Sequence, residues 1–281
     1  MKKVLAFDCG GTNTRLCLIN EKFEIEKELV TPTPINNKEK WMNNIVSMIE
    51  KFSLEDVVAI GAGVPGQCDV EKGIILDMSN VHVFDIKFRE ILEEKFHLPI
   101  FVRNDAEVAC LGEAYMGAGK GFERVFFITI STGLGGALCI NEKIQDYIHE
   151  IGHTAYMYKN HISEYEKLVS GLNVHTLAEI NNVKKIKTAK DMFDGVRKND
   201  SECLMVFDEW LKVLNDFINL VKDTYLPEII CITGGLTKAK DLFFDKLIES
   251  HKEIKIVECK FGEHAGLYGA SILAMQGAKI I

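Results

Sequence analysis

Asp105, at the junction of a predicted strand and a predicted helix, is the residue in this sequence best placed to do chemistry. It lies in the stretch 101–121, FVRNDAEVACLGEAYMGAGKG, where an apolar run precedes Asn104-Asp105 and a helical pattern follows. Ligands usually bind at such junctions in open α/β sheets, and a carboxylate there can remove a proton from a hydroxyl nucleophile. The alternative is that Asp105 only caps the helix, because Asp is a preferred N-cap residue.

Glycine-rich turns after three apolar strands suggest a site for phosphate groups. Backbone N–H groups can approach a polyanion closely where no Cβ intervenes, although a single turn of this kind can also be just a tight turn with positive φ. The candidate residues are the glycines Gly10, Gly11, Gly133, Gly234 and Gly235, and the neighbouring hydroxyls of Thr12, Thr14 and Thr132.

An internal repeat contains the first two of these turns. Segments 4–20 and 125–141 each have an apolar strand, a glycine turn and a second strand that ends in Ile-Asn. Each segment predicts a β-hairpin, and the repeat indicates two related lobes. We therefore expect two hairpins that hold the phosphates of a nucleotide from opposite sides.

The segment Val57–Gly66 also matches the GxGxxG dinucleotide pattern after a strand. That pattern binds pyrophosphate only where a helix begins inside it, and Gln67–Ile75 instead predicts a strand, a turn and another strand. A dinucleotide fold is therefore disfavoured. Gly63 and Pro65 more simply form one wall of a ligand cleft.

A second polar cluster, His149-Glu150-Ile151-Gly152-His153, has the spacing of a partial metal motif. Zinc needs three or four ligands, and no cysteine follows until Cys203. A polar pair facing a cleft or solvent is therefore favoured over a metal site. Glu166, on the helix predicted to follow, would on its own be a solvated side chain.

Strands that alternate with helices along the chain predict an α/β protein with largely parallel sheets. Period-two apolar runs predict the strands, and three- and four-residue apolar spacing predicts the helices. The longest predicted helix is Ser201–Tyr225, and its predicted inward residues are Leu204, Phe207, Leu211, Leu214, Ile218 and Val221. The other predicted helices are 38–52, 86–96, 163–171, 188–196, 238–250 and 265–276, and the other strands are 57–61, 99–102, 229–233 and 254–258.

Composition narrows the class of protein. The 281 residues carry a net charge of −8, with no long basic run, which makes nucleic acid an unsuitable partner. The 8 cysteines are scattered without a CxxC pair, as expected for reduced, buried thiols in the cytoplasm. We expect no signal peptide and no membrane span, because the apolar runs are too short.

Seven motifs in this order resemble the ROK family of sugar kinases and repressors: DCGGTNTR, GAGVPG, NDAEVACLGEAYMGAGKG, STGLGG, EIGH, EKLVSG and TGG. The resemblance implies a two-lobed actin-like ATPase (ribonuclease H-like) fold with a central cleft. It implies domains 1–112 plus 266–281 and 113–265. It also implies a homodimer, with ATP and Mg²⁺ bound on the glycine turns and a hexose beside Asn104-Asp105.

Carried over to this chain, the resemblance implies roles for individual residues. Asp105 would be the general base that deprotonates the sugar hydroxyl, usually O6, and Asp8 would lie near the metal and the phosphates. The implied nucleotide contacts are Gly10, Gly11, Thr12, Thr14, Thr132, Gly133, Gly234 and Gly235. The implied sugar contacts are Gly63, Asn80, Asn104, Asp105, Glu150, His153 and Glu166.

The sequence departs from the family pattern after EIGH. The CxCGxxGC segment of zinc-binding members is missing, so we expect no structural zinc and expect packing or hydrogen bonds to hold His153. Relatives that lack zinc include N-acetylmannosamine kinases and β-glucoside kinases, whereas glucokinases usually keep the metal. The sugar is therefore left open among these classes.

Two other functions compete with a kinase. A transcriptional regulator of this family would carry a helix-turn-helix domain before the first glycine turn, and only seven residues precede Asp8. A catalytically inactive sugar sensor is the second alternative, and the presence of Asp105 argues against it.

Overall fold

The computed structural model describes residues 1–78, 81–146 and 150–281. The chain forms two compact units, the first made of Met1–Gly117 with Glu263–Ile281 and the second of Ala118–Gly262. The boundary expected near Gly112 lies within a helix, and the division between the units falls five residues later, at Gly117.

The first unit begins with eight strands and three helices and is completed by the last helix of the chain. Its first part contains β1 (Lys3–Cys9), β2 (Asn13–Asn20), β3 (Ile25–Pro32), α1 (Lys38–Ile49), β4 (Val57–Val64), β5 (Gln67–Asp69), β6 (Ile74–Met78), β7 (Val83–Ile86), α2 (Phe88–Phe96), β8 (Ile100–Asn104) and α3 (Asp105–Met116).

The second unit contains β9 (Arg124–Ile130), β10 (Leu134–Ile140), β11 (Lys143–Ile144), β12 (Ala155–Tyr158), β13 (His161–Glu164), α4 (Tyr165–Val169), α5 (Val174–Ile180), α6 (Ala189–Arg197), α7 (Ser201–Tyr225), β14 (Ile229–Thr233), α8 (Lys240–Ser250) and β15 (Lys255–Glu258). Helix α9 (Ala265–Gly277) then returns the chain to the first unit.

Both units are built on a five-stranded sheet with the same topology. The strand order is β3-β2-β1-β4-β8 in the first unit and β11-β10-β9-β14-β15 in the second. In each sheet the first three strands are antiparallel neighbours, and two later strands follow in parallel on the other side of the first one, β4 then β8 in one sheet and β14 then β15 in the other. The repeated hairpin predicted from the sequence is confirmed, with β1–β2 and β9–β10 as its two copies.

Further sequence predictions are confirmed at the level of single elements. Helix α7 has the predicted bounds, and its inward face is centred on Phe207, Trp210 and Phe217, whereas Leu204 and Leu211 are only half-buried. After the GxGxxG pattern the chain continues as strands β5 and β6 without a helix, as the sequence indicated.

The helix predicted over 163–171 is wrong in its first part. The segment Ala155–Glu164 forms an antiparallel hairpin, β12–β13, and only Tyr165–Val169 is helical. Lys159 and Asn160, with φ of 44° and 66°, form the two-residue turn that joins the strands. Both residues have the left-handed backbone conformation that a type I′ hairpin turn requires. Strand β3 and helix α5 were not predicted.

A separate hydrophobic core supports each unit. In the first unit, Trp41 and Phe88 lie among buried side chains on one side of the sheet, and Leu267 of α9 is buried in a cluster with Val4 and Ala6. In the second unit, α7 crosses the core, and the Trp210 indole N–H donates a 2.9 Å hydrogen bond to the Val169 carbonyl. Within the described ranges, no helix is long and apolar enough to cross a membrane.

A buried histidine in the second unit leads to a pH prediction. His251 is 2% exposed, and neither ring nitrogen has a hydrogen-bond partner among the described residues. Burial, assisted by Lys222 and opposed by Glu253, lowers the pKa of His251 below its ordinary 6.5. As the pH falls, His251 is therefore protonated in the unfolded chain before it is protonated in the folded one. The contribution of the buried neutral His251 to stability is present above about pH 6.5 and is lost as the pH falls towards the folded-state pKa.

We expect the free energy of unfolding of the wild type to fall relative to that of His251→Leu as the pH is lowered from about 8 to 5. Urea denaturation across this range measures the difference. His161→Leu, at an exposed histidine, is the control and should follow the wild type. A wild-type curve parallel to that of His251→Leu would contradict the interpretation.

Candidate active site

In the first unit, the carboxyl ends of three parallel strands bring the predicted residues together. Asp8 of β1 pairs in register with Gly63 of β4, and Val64 of β4 pairs with Asn104 of β8. Neighbouring strands lie about 4.8 Å apart, so these positions form a row across one edge of the sheet. Asp105 follows directly, as the first residue of α3.

Asn104, and not Asp105, is the N-cap of α3. Its Oδ1 accepts hydrogen bonds from the backbone N–H groups of Ala106 at 2.8 Å and Glu107 at 3.4 Å, and the Glu107 side chain accepts in return from the Asn104 backbone at 3.3 Å. The interpretation of Asp105 as the cap was therefore wrong. The capping box is formed by Asn104 and Glu107, and Asp105 Oδ1 also accepts from the Ala106 N–H at 2.8 Å, as a residue inside the first turn.

A hydrogen bond from Asn104 also joins the cap to the neighbouring strand connection. Its Nδ2 donates to the Gly66 carbonyl at 2.9 Å, which leaves one N–H of the amide to reach a ligand. Gly63 permits β4 to pack closely against α3, because a Cβ there would lie 2.4 Å from Val108 Cγ2 of α3.

The first glycine turn, between β1 and β2, presents backbone to solvent. Gly11 and Thr12 are exposed, and a Cβ on Gly11 would meet no other atom within 4 Å. Thr14, in contrast, is fully buried and does not reach the surface of the turn. Its hydroxyl lies 3.0 Å from that of Thr33. Thr33 also donates to the Gly10 carbonyl at 2.7 Å, so the buried hydroxyls brace the turn from below.

Asp8 lies half-buried at the amino end of α9. A Cβ on Gly266, in the first turn of that helix, would be only 2.9 Å from the Asp8 Cγ. Desolvation raises the pKa of Asp8 to about 6, and Arg15 and His264 oppose this shift without cancelling it. A carboxylate in such surroundings is stabilised in its ionised form by any cation that binds beside it.

In the second unit, the other two glycine turns meet at the carboxyl ends of the parallel strands β9 and β14. The Ser131 N–H donates to the Gly133 carbonyl at 2.9 Å, which closes the turn between β9 and β10. The Gly171 N–H donates to the Ser131 carbonyl at 2.7 Å. Gly234 has a φ of 110°, and a Cβ there would lie 2.2 Å from the Ile130 carbonyl oxygen, so only glycine fits.

These turns form one wall of a pocket of about 490 Å³ that lies within the second unit. A volume of this size suits a small organic ligand or cofactor. Of the predicted nucleotide contacts, Thr132 and Gly235 line this pocket, and Gly235 has open space where a Cβ would be. The sequence did not identify the rest of the lining, which comes from Gly171, Leu172, one face of α6 from Ala189 to Arg197 and the turn after Gly235.

A cluster of carboxylates surrounds His153 in the same unit. His153 Nδ1 lies 2.9 Å from Glu164 Oε2, and its Nε2 lies 3.6 Å from Glu150 Oε2. Glu166 belongs to the group, since its charge acts on His153, and its Oε2 accepts a 2.9 Å hydrogen bond from the Leu134 N–H. A Cβ on Gly133 would lie 2.6 Å from the same oxygen, so this glycine lets Glu166 approach the turn.

Glu164 is a member of this cluster that sequence reasoning missed. It faces His153 because residue 164 pairs with Ala155 across the β12–β13 hairpin, which the predicted helix concealed. The available signal was the dipeptide Lys159-Asn160, whose asparagine suits a tight turn between Tyr158 and His161. Two residues of the predicted site or its alternatives, Asn80 and His149, lie outside the described residues.

Within residues 1–78, 81–146 and 150–281, no group of three or more His, Cys, Asp or Glu side chains is arranged to hold a metal ion. The contacts seen around His153 are hydrogen bonds and charge interactions.

Comparison with known proteins gives a consistent family assignment. The sequence profile of the ROK family matches residues 4–277. The chain is 29% identical to a glucokinase of Halalkalibacterium halodurans, over 88% of this chain and 84% of that protein. It is 26% identical to an N-acetyl-D-glucosamine kinase of Histophilus somni, over 95% and 97% of the two chains.

The fold is shared with solved structures. A ROK hexokinase from Thermus thermophilus superimposes with a TM-score of 0.85 at 23% identity, over 99% of each chain. The expected actin-like ATPase fold is thereby confirmed.

The double role of Asn104 in the fold predicts an unusual loss of stability. We expect Asn104→Ala to lower the free energy of unfolding by about 2 kcal/mol, because it removes both the cap and the hydrogen bond to Gly66. Asn37→Ala is the matched control, since Asn37 caps α1 by a bond to the Lys40 N–H, and it should lose about 1 kcal/mol. Equal losses in urea denaturation would show that the Gly66 bond adds nothing.

Proposed function

The chain belongs to the ROK family, and we propose on that premise that it is an ATP-dependent sugar kinase that phosphorylates a hydroxyl, O6, of a hexose or N-acetylhexosamine. The observation that carries the proposal is the position of Asp105 in the first turn of α3, at the carboxyl edge of the parallel strands. The names of the relatives, a glucokinase and an N-acetyl-D-glucosamine kinase, support the sugar class.

Asp105 is the proposed general base. Phosphoryl transfer needs the acceptor hydroxyl to be aligned and its proton to be removed as the new bond forms. The amino end of α3 favours the ionised carboxylate, which is the form that can accept the proton. Gly63 and Asn104 lie beside it as proposed sugar contacts, the latter through its remaining amide N–H, and Asn80 is retained in this role from the sequence.

The pocket of the second unit is the proposed nucleotide site. Its lining combines the backbone of Thr132 and Gly235 with the apolar side chains of Leu172 and Phe193, a combination suited to a base and sugar that end in phosphates. Gly133 and Gly234 shape the turns on its wall. In the first unit, the Gly10–Thr12 turn is the proposed further phosphate contact, supported from below by Thr14.

Asp8 is the residue proposed to hold Mg²⁺. The ion is commonly bound by one or two carboxylates together with substrate phosphates, and the desolvated Asp8 carboxylate fits that requirement. Bound there, the ion would neutralise phosphate charge during transfer. On one side Asp8 lies against the first turn of α9 at Gly266.

The cluster of Glu150, His153 and Glu166 is the proposed site for other sugar hydroxyls. Carboxylates accept hydrogen bonds from hydroxyl groups, and their combined negative charge disfavours anionic sugars. A neutral hexose, N-acetylhexosamine or β-glucoside meets this requirement. A coupled assay with ATP across these three classes tests the proposal, and sugar binding without turnover of any member would favour the sensor function instead.

We expect Asp105→Asn to lose at least about a hundredfold in kcat while sugar binding persists, because the amide keeps the shape and cannot accept the proton. Initial rates and calorimetric titration of the sugar measure the two effects separately. Asp245→Asn, at an exposed position on α8, is the control and should keep wild-type rates. Near-normal phosphorylation by Asp105→Asn would remove Asp105 from the role of base.

Gly235→Val tests the nucleotide pocket. The glycine has no atom within 4 Å of its Cβ position and no positive φ, so valine should fold normally while filling space that the ligand needs. We expect at least a tenfold weaker affinity for a non-hydrolysable ATP analogue, with a smaller loss for Gly235→Ala. An unchanged affinity in a protein of unchanged thermal stability would place the nucleotide elsewhere.

A further inference from the structure

His153 is held by a residue from the far strand of the β12–β13 hairpin. The 2.9 Å contact with Glu164 fixes the Nδ1 side of the ring, and Lys167 Nζ lies 3.3 Å from the other Glu164 oxygen. The His153 side chain remains 49% exposed, so its Nε2 edge is accessible to a ligand. Glu164, at 30% exposure, lies further from solvent than the histidine it orients.

The hairpin that carries Glu164 is fastened to α7 by two tyrosine hydroxyls. The Tyr156 hydroxyl donates to Asp216 Oδ2 at 2.5 Å, and the Tyr158 hydroxyl donates to Glu209 Oε2 at 2.6 Å. Asn181 Nδ2 donates to the Tyr158 oxygen at 2.8 Å. Because hydroxyls bonded to carboxylates form strong hydrogen bonds, these contacts hold the strand firmly.

The spacing of these residues suits a two-point attachment. Tyr156 and Tyr158 are two apart on a strand and therefore share a face, and Glu209 and Asp216 are seven apart on α7 and lie nearly one above the other. The Tyr156 ring also contacts that of Tyr165, with centroids 4.6 Å apart. An isolated two-stranded hairpin is only marginally stable, so it depends on such attachments.

We propose that Glu164 is a positioning residue for His153, and that Tyr156 and Tyr158 hold the hairpin in the place that makes this contact possible. The proposal rests on the role of His153 as a sugar ligand given above. The inward face of α7 is buried in the core, so α7 is a rigid support. Through the hairpin and Glu164 it fixes the position of the His153 Nε2 atom.

The contact also determines which proton His153 offers. With Nδ1–H donated to Glu164, the neutral ring presents Nε2 as an acceptor, and the protonated ring presents Nε2–H as a donor. The charged groups around the ring are Glu150, Glu164, Glu166 and, beyond Glu164, Lys167. The hydrogen bond that His153 donates to Glu164 is the largest cause that raises the pKa of His153 above its ordinary 6.5.

Glu164→Ala and Glu164→Gln test the positioning role. For Glu164→Ala we expect the KM for the sugar to rise about tenfold, with kcat and the KM for ATP within about twofold of wild type, and partial rescue by glutamine, which can still accept the bond. In the background of His153→Ala, Glu164→Ala should add no further effect. An additional loss there would show that Glu164 acts other than through His153.

A second measurement does not depend on activity. In protein labelled with ¹⁵N-histidine, with the His153 signal assigned by its loss in His153→Gln, the pKa of His153 should fall in Glu164→Gln. An unchanged pKa would overturn the pairing even if the protein proves not to be a kinase. A lowered pKa without any sugar turnover would instead leave the pairing intact and count against the proposed function.

The double variant Tyr156→Phe/Tyr158→Phe tests the attachment to α7. It keeps the aromatic packing and removes both hydroxyls, so we expect the KM for the sugar to rise several-fold and the affinity for a non-hydrolysable ATP analogue to stay unchanged. Tyr115→Phe, in the other unit, is the matched control. A double variant with a wild-type sugar KM would overturn the role of the two tyrosines.

Discussion

The first unit depends on backbone atoms of α9 packing directly against α3 and β4. A Cβ on Gly269 would lie 1.5 Å from the Val108 carbonyl oxygen of α3, and one on Gly61 of β4 would lie 2.0 Å from the Ala270 carbonyl oxygen. No other residue type fits at either position, because a contact below 3 Å cannot be relieved when the neighbour is backbone. This packing brings the amino ends of both helices to the edge of the sheet where β1, β4 and β8 end.

Two carboxylates of the proposed site owe their surroundings to this packing. Asp105 occupies the first turn of α3, and Asp8 lies against the first turn of α9 at Gly266. The partial positive charge at each helix terminus favours an ionised carboxylate. At Asp8, however, desolvation outweighs this effect and the nearby Arg15 and His264, and its pKa rises to about 6. The same close packing against Asp8 therefore also disfavours its ionised form, which a bound cation would stabilise.

Much of this arrangement was predictable from the sequence, for reasons that can be stated residue by residue. The turns at Gly10-Gly11 and Gly133 interrupt apolar runs of matched length, so local chemistry alone predicts the two hairpins. The apolar spacing of α7 repeats over 25 residues and leaves little ambiguity. The cap of α3 was also predictable, since Asn104 and Glu107 have the spacing of a capping box. The ambiguity was that the next residue, Asp105, is also a preferred cap residue.

What could not be predicted depends on contacts between distant parts of the chain. The pocket of the second unit draws on Gly171, α6 and the Gly235 turn, which only the folded sheet brings together. Glu164 was missed for a more local reason, because its hairpin has short strands without apolar alternation and is joined by Lys159-Asn160 rather than a glycine turn. Short strands outside the main sheet leave a weak trace in a sequence.

The two units secure their proposed sugar contacts by different physical means. The position of Asp105 follows from the backbone packing of α9 against α3 and β4. Almost no substitution at Gly61 or Gly269 can preserve this packing. The position of His153 follows from side-chain hydrogen bonds between the β12–β13 hairpin and α7, where a single atom can be removed without a clash. Because the hairpin belongs to neither five-stranded sheet, changes in it alter the hydroxyl-binding side chains while leaving the sheet intact. On the proposed function, differences in sugar specificity are therefore most readily accommodated at the hairpin, and the proposed proton acceptor, Asp105, is confined to the part of the fold that tolerates least change.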